Sequence, residues 1–294
     1  MAKQYINPIH EGADPFILLF EDKYYLYPTL DPHGIRVFSS NNLVDWKDEG
    51  YALKDVDCYG DRGFWAPEIL YRDGVFYMVF VANEHLGIAT SKSPLGPFVQ
   101  KEKKPLDEVQ MIDGHFLEGY DGKTYLYFVR FNNNNEIHVA ELKDDLLSIK
   151  KETEKKVLEA TEPWETVWKT NPVCEGPFVL KHNNLYYLTY SCNHTMCKEY
   201  AVGCAVSSSP YGPFKKCSNN PILSSSSTVV GTGHHSFTTS KDGRNLIIVY
   251  HCHESIEKMG QRMTCIDKAR FIKGEEEDLL EILGPTDTPQ DSII

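Results

Sequence analysis

Five times along this chain an acidic residue or a histidine introduces a short apolar run, a polar turn and a second aliphatic or aromatic run, and this recurrence restricts the fold more than any other feature. The openings are Asp14-Pro15-Phe16-Ile17-Leu18, Glu68-Ile69-Leu70-Tyr71, Asp113-Gly114-His115-Phe116-Leu117, Glu175-Gly176-Pro177-Phe178-Val179-Leu180 and His234-His235-Ser236-Phe237. The turns Glu21-Asp22, Asp73-Gly74, Asp121-Gly122, Asn183-Asn184 and Asp242-Gly243 follow them and lead into stretches such as Tyr24-Tyr25-Leu26-Tyr27 and Phe76-Tyr77-Met78-Val79-Phe80. Two strands joined by a tight polar turn make a hairpin. The units recur every roughly 50–60 residues, a spacing that suits a four-stranded propeller blade. The pattern therefore predicts an all-β, five-bladed β-propeller, in which the polar residue opening each innermost strand faces one central cavity.

The outer parts of the blades repeat as well. Ala89-Thr90-Ser91-Lys92-Ser93-Pro94-Leu95-Gly96-Pro97-Phe98 reappears as Ala205-Val206-Ser207-Ser208-Ser209-Pro210-Tyr211-Gly212-Pro213-Phe214. Each copy reads as a third strand ending in a Ser-Pro turn that leads to an edge strand, where Pro and Gly are tolerated. Helical periodicity is nearly absent, and the Lys/Glu-rich stretch from Leu142 to Leu158 fits an exposed turn or the outer strand of blade three. No composition shift marks a second unit, so residues 1–294 are expected to form a single propeller domain, with about 275–294 as closing strand or tail.

The formal charge of −12 repels phosphate backbones and anionic lipid, and no Lys/Arg cluster resembles a nucleic-acid footprint. The expected partner is therefore neither nucleic acid nor a membrane. No apolar run approaches the roughly 20 residues that span a bilayer, and Met1-Ala2-Lys3-Gln4-Tyr5 lacks the apolar core of a secretory signal. As written the chain is expected to be cytoplasmic, or periplasmic or secreted if a signal peptide has been removed. The eight cysteines show no C-x-x-C pairing and read as buried or loop thiols rather than disulfides.

Asp14, Asp113 and Glu175 are three carboxylates at strand openings, and three carboxylates around one cavity cannot all titrate like surface acids. Burial and mutual repulsion raise some pKa values, while a neighbouring cation holds another group ionised. A glycosidase uses such divergence: one carboxylic acid protonates the leaving oxygen while a carboxylate activates water or attacks directly. Any one of the three, alone, would read as an ordinary strand-end hydrogen-bond acceptor.

Ala13-Asp14-Pro15, Trp65-Ala66-Pro67-Glu68, Ile112-Asp113, Glu175-Gly176-Pro177 and Gly231-Thr232-Gly233-His234-His235-Ser236, one per blade and in this order, resemble the motif series of glycoside hydrolase family 43 from about Pro8 to Phe271. The resemblance implies an inverting O-glycosyl hydrolase. It implies Asp14 as the general base, Glu175 as the general acid and Asp113 as the ionised group that orients Glu175 and raises its pKa. Glu11 is a minor competitor for the base. Trp65 is expected to stack on sugar, and Glu68 and Arg262 to bind substrate, each against a bland alternative: core tryptophan, hydrogen-bonded strand end and surface arginine. The resemblance implies no cofactor for the chemistry and allows a structural calcium ion in the central channel, with His234 as its protein contact. His251 and His253 share one strand face, but zinc there would need a third ligand.

The expected partner is a carbohydrate: an arabinose- or xylose-containing plant polysaccharide or oligosaccharide. An exo-acting α-L-arabinofuranosidase or β-xylosidase is slightly favoured, because the loops Cys192 to Tyr200 and Asp55 to Arg62 would, if they stand over the cavity, wall off one end of a cleft. The alternatives are an endo-arabinanase and a non-catalytic carbohydrate-binding propeller, the latter disfavoured because all three carboxylates are present. An invertase-like fructosidase is disfavoured because Cys174 precedes Glu175 instead of following it.

Overall fold

The computed structural model describes residues 4–132 and 134–293. Met1, Ala2, Lys3 and Ile294, on which the leader reading and the ends of the expected domain fall, lie outside the described residues. Among the described residues the chain forms five antiparallel sheets arranged as the blades of a propeller, a further two-stranded pairing, and three short 3₁₀ turns at Asp55–Asp57, Lys151–Thr153 and Pro163–Thr166. Among the described residues no helix is long and apolar enough to cross a membrane.

Blade one is built from Ala13–Phe20, Lys23–Thr29, Gly34–Ser40 and Lys47–Lys54, in that order from the axis outward. Blade three follows the same plan with Met111–Glu118, Thr124–Phe131, Asn135–Glu141 and Lys155–Leu158. The stretch ending at Leu158 thus supplies an outer strand. Blade four has Cys174–His182, Leu185–Cys192, Ala201–Ser207 and the short Lys215–Lys216. Blade two keeps only Trp65–Arg72, Val75–Ala82 and His85–Ser91, with a single bridge from Thr90 to Val99 in place of a fourth strand. Pro97 and Pro94 remove two ladder donors from that outer segment.

Chain ends close the ring. In blade five the inner strand Gly233–Thr239 and Leu246–Cys252 are followed by Met263–Ile272, a long strand with two partners. Its first residues pair with His10–Glu11 and its last with Leu279–Ile282. Gln4–Tyr5 also pairs with Gln290–Asp291. Asn7 clasps the same place: its side-chain amide donates to Ile266 O at 2.8 Å and its Oδ1 accepts from Ile266 N at 2.9 Å.

The turn residues do what their type allows. Glu21 and Asp22, Asp73 and Gly74, and Asn183 and Asn184 all have positive φ, as a two-residue hairpin with both central residues left-handed requires. The second strands carry most of the fully buried tyrosines, and the hydroxyls of Tyr24, Tyr27, Tyr127 and Tyr187 find partners in neighbouring blades, since a buried hydroxyl without a partner is costly. Tyr27 donates to Pro94 O at 2.5 Å and Tyr127 to Pro210 O, so the two Ser-Pro turns receive the same inter-blade bond.

Each inner strand carries one β-bulge near its start. The pairing skips a step between Ala13 and Phe16, Trp65 and Glu68, Ile112 and His115, Glu175 and Phe178, and Gly233 and Ser236. The second residue of each bulge is left-handed: Asp14 at φ 45°, Ala66 at 43°, Asp113 at 57°, Gly176 at 55° and His234 at 41°. Such a φ costs a non-glycine residue of order 1–3 kcal/mol and is retained where it aims a side chain at a site.

This register corrects two expectations. Glu68 does not open its strand; it stands where Phe16, His115, Phe178 and Ser236 stand, and Ala66 holds the position of Asp14. Glu175 lies one residue before that position, equivalent to Trp65. The acidic openings are thus not all in one repeat position, because the extra bulge residue hides the register from a count along the chain.

Candidate active site

Asp14, Asp113 and His234 are bulge residues of blades one, three and five, and the left-handed backbone turns all three side chains onto the propeller axis. Nδ1 of His234 lies 3.4 Å from Oδ1 of Asp14 and 3.9 Å from Oδ2 of Asp113. Glu175 joins them from blade four, where the amide of Gly176 donates to Oδ2 of Asp113 at 3.1 Å. A narrow axial cavity of about 20 Å³ continues below these groups, past Glu68 and His235.

Asp14 is nearly buried and surrounded by nitrogen. Arg262 Nη1 donates to its Oδ1 at 2.9 Å, and His251 Nδ1 lies 3.2 Å from the same oxygen and from the Asp14 amide. Burial alone would push this carboxyl up, but Arg262, His234 and His251 together outweigh it and hold Asp14 well below the usual carboxylate range. His251 itself is pushed down to about 3 by burial and by the Arg262 charge, so it stays neutral.

Glu175 has the opposite environment. Burial and the charge of Asp113 raise it to about 7, against the bonds from Tyr200 and Asn135 that favour its ionised form. Tyr200 Oη donates to Oε1 at 2.9 Å, and Asn135 Nδ2 donates to Oε2 at 3.0 Å. Asp113 is pushed up by burial and by Asp14, with His234 and the Gly176 amide opposing. Burial would lower His234, yet Asp14, Asp113 and Glu175 outweigh it and raise the ring. Near neutrality Asp14 is ionised while Glu175, raised to about 7, still carries a proton in a large share of molecules.

The remaining expected residues are placed as follows. Trp65 is 37% exposed at the mouth, with Gly63 against the edge of its indole. Arg262 is beside Asp14 rather than on an outer strand face. Glu68 is bonded to the neighbouring blade: its Oε2 meets His115 Nδ1 at 2.8 Å and its Oε1 accepts the Phe116 amide at 2.8 Å. It lies at the neck of the axial cavity. Glu11 is exposed on the closing strand, away from that lining.

His234 faces two carboxylates, and among the described residues no three His, Cys, Asp or Glu side chains converge as a metal cage. His251 and His253 both turn to Thr195. Nε2 of His251 is 3.4 Å from Thr195 Oγ1 and Nε2 of His253 is 2.8 Å from Thr195 O, so both rings hold the loop that follows Cys192. All eight cysteines are free thiols, and Cys252 and Cys265 approach to 3.5 Å between sulfurs.

Residues 5–275 match the profile of glycosyl hydrolases family 43. The chain belongs to that family. Family 43 membership makes it an inverting glycoside hydrolase on a five-bladed propeller. An endo-1,4-β-xylanase of Bacteroides thetaiotaomicron is 38% identical, with a TM-score of 0.89 over 98% of both chains. A thermostable family-43 glycoside hydrolase is 37% identical, with a TM-score of 0.91 over 99% of both. Among curated relatives, the β-D-galactofuranosidase xynD of Aspergillus niger is 28% identical over 92% of this chain and 83% of its own. A xylosidase/arabinosidase of Bacteroides ovatus is 27% identical over 72% and 78%.

Sequence reasoning missed Tyr200, Asn135, Thr195 and the scaffold role of His251. Three of these belong to features it did single out: Tyr200 and Thr195 to the loop after Cys192, and His251 to the His251-Cys252-His253 run. Asn135 gave no signal, since it begins the third strand of one blade and reaches the acid of the next.

Proposed function

We propose that this family 43 enzyme releases a terminal pentose from arabinose- or xylose-containing glycans, with Asp14 as base and Glu175 as acid. The observation that carries the roles is the contrast between an Asp14 fixed by Arg262 and a Glu175 raised to about 7 beside Asp113. Asp14 takes a proton from water as the water attacks the anomeric carbon. Glu175 gives its proton to the departing glycosidic oxygen. Asp113 keeps the acid protonated until that step and fixes its strand through the Gly176 amide. Trp65 presents an indole face to the sugar ring at the mouth.

These two carboxyl groups supply the base and acid of a single displacement, so no cofactor is proposed for the chemistry. A structural calcium ion in the central channel, with His234 as its protein contact, would enter no step of this chemistry.

For the substrate, relatives named xylosidase/arabinosidase and β-D-galactofuranosidase support a furanoside or xyloside. A β-D-galactofuranoside shares its ring stereochemistry with an α-L-arabinofuranoside and differs by one exocyclic hydroxymethyl group. That kinship supports a reading with α-L-arabinofuranose ahead of β-D-xylose. Assays on nitrophenyl α-L-arabinofuranoside, nitrophenyl β-D-xyloside and debranched arabinan, with proton NMR of the first anomer released, test the proposal. An inverted pentose is expected; release of a hexopyranose alone would defeat the pentosidase reading.

A further inference from the structure

The end of blade four where Glu175 pairs with Ser191 carries, in the loops that leave the sheet there, an aromatic pair that the reaction as described does not use. Trp168 lies in the loop leading to the inner strand of blade four, and His194 lies in the loop between the second and third strands of the same blade. Their rings stack at 5.0 Å with 29° between planes. Asn193, buried and left-handed at φ 70°, ties the two loops together. Its Oδ1 accepts the Trp168 amide at 3.1 Å, and its Nδ2 donates to Trp164 O and to Glu199 O, both at 2.8 Å.

Both loops are anchored to the catalytic groups. Pro172 O accepts the amide of Asn135, whose side chain holds Glu175. Thr195, next to His194, accepts from Arg262 Nη1 at 3.3 Å, the same nitrogen that holds Asp14. The His194 ring is also set for a ligand. Its Nδ1 accepts the Met196 amide at 3.1 Å, which leaves the proton on Nε2. Burial and the Arg262 charge keep the ring neutral. Among the described residues neither Nε2 of His194 nor Nε1 of Trp168 has a hydrogen-bond partner, and neither is a buried orphan.

Resting on the glycosidase reading, we propose that Trp168 and His194 form the subsite for the leaving-group sugar, a neutral glycosyl residue. The acid must stand beside the oxygen that departs, so the departing sugar lies on the Glu175 side of the mouth. Trp168 offers that sugar a flat apolar face already held in place, and His194 Nε2 and Trp168 Nε1 offer it hydrogen-bond donors. Trp65, on blade two, is left to the other side.

The test compares two substrates that share a glycosyl group but differ in what leaves: a pentosyl disaccharide and the corresponding pentosyl fluoride, whose leaving group fills no subsite. Trp168→Ala is expected to lower kcat/KM on the disaccharide about tenfold, as loss of a packed aromatic contact does, and to leave the fluoride within about twofold. Trp168→Phe should restore most of the disaccharide activity. Equal loss on both substrates, or no loss on the disaccharide, would overturn the platform. Wild-type enzyme that hydrolyses the fluoride but no disaccharide would overturn the platform and leave the glycosidase standing. Wild-type enzyme inert toward both would overturn the pentoside reading beneath it.

Discussion

Arg262 Nη1 donates to Asp14 Oδ1 at 2.9 Å, and the two residues come from blades five and one, the blades between which the ring closes. The site is therefore completed by the same event that completes the fold. Removing the cation takes away the leading influence that holds Asp14 down, so the Asp14 pKa rises in Arg262→Met. The base must be ionised to act, and the acidic limb of the kcat/KM profile should move to higher pH by at least ~1 unit. Arg262→Lys should shift it less, since charge is retained while the fixed fork is lost. A pH–rate profile of each variant, with thermal unfolding to confirm folding, gives the answer. An unmoved limb would remove Arg262 from the control of the base.

Tyr200 acts on the other limb. Its hydroxyl favours the ionised form of Glu175, so Tyr200→Phe raises the Glu175 pKa further above about 7. The general acid must be protonated, and the basic limb of the profile should therefore move to higher pH. Activity on a good leaving group should change little. A basic limb that moves down, or only a uniform loss at every pH, would show that Tyr200 supports packing alone.

Ring closure predicts a stability effect away from the chemistry. Asn7→Ala leaves the buried Ile266 N–H without its partner, while the Ile266 C=O keeps the Tyr5 hydroxyl at 3.4 Å, and an unsatisfied buried group costs about 1–3 kcal/mol. Urea unfolding should show a loss of about 1–3 kcal/mol. The rate at saturating substrate should be nearly unchanged while the protein stays folded, because Asn7 touches none of the carboxylates. A loss below about 0.5 kcal/mol would mean that strand pairing alone closes the ring.

The sequence made the number of blades legible because each blade repeats a hairpin with its own left-handed turn, as at Asp73-Gly74 and Asn183-Asn184. It concealed the register, because a bulge adds one residue to every inner strand and nothing in composition marks it. Glu68 consequently looked like the counterpart of Asp14, whereas Ala66 is. Three carboxylates could be named from the chain because their types fit the chemistry. The partners that make their environments unlike could not, since Asn135, Tyr200 and Arg262 arrive from other blades or from a loop whose path depends on His251 and His253.

The acid assignment is the centre of the account, and leaving-group dependence tests it most directly. Glu175→Gln and Asp14→Asn should be compared with wild type on an unactivated pentosyl disaccharide and on a dinitrophenyl pentoside, whose leaving group needs little protonation. Glu175→Gln should lose about 10²–10⁴-fold on the disaccharide and far less on the dinitrophenyl substrate, while Asp14→Asn should lose activity on both. Equal loss of Glu175→Gln on the two substrates would contradict Glu175 as the proton donor.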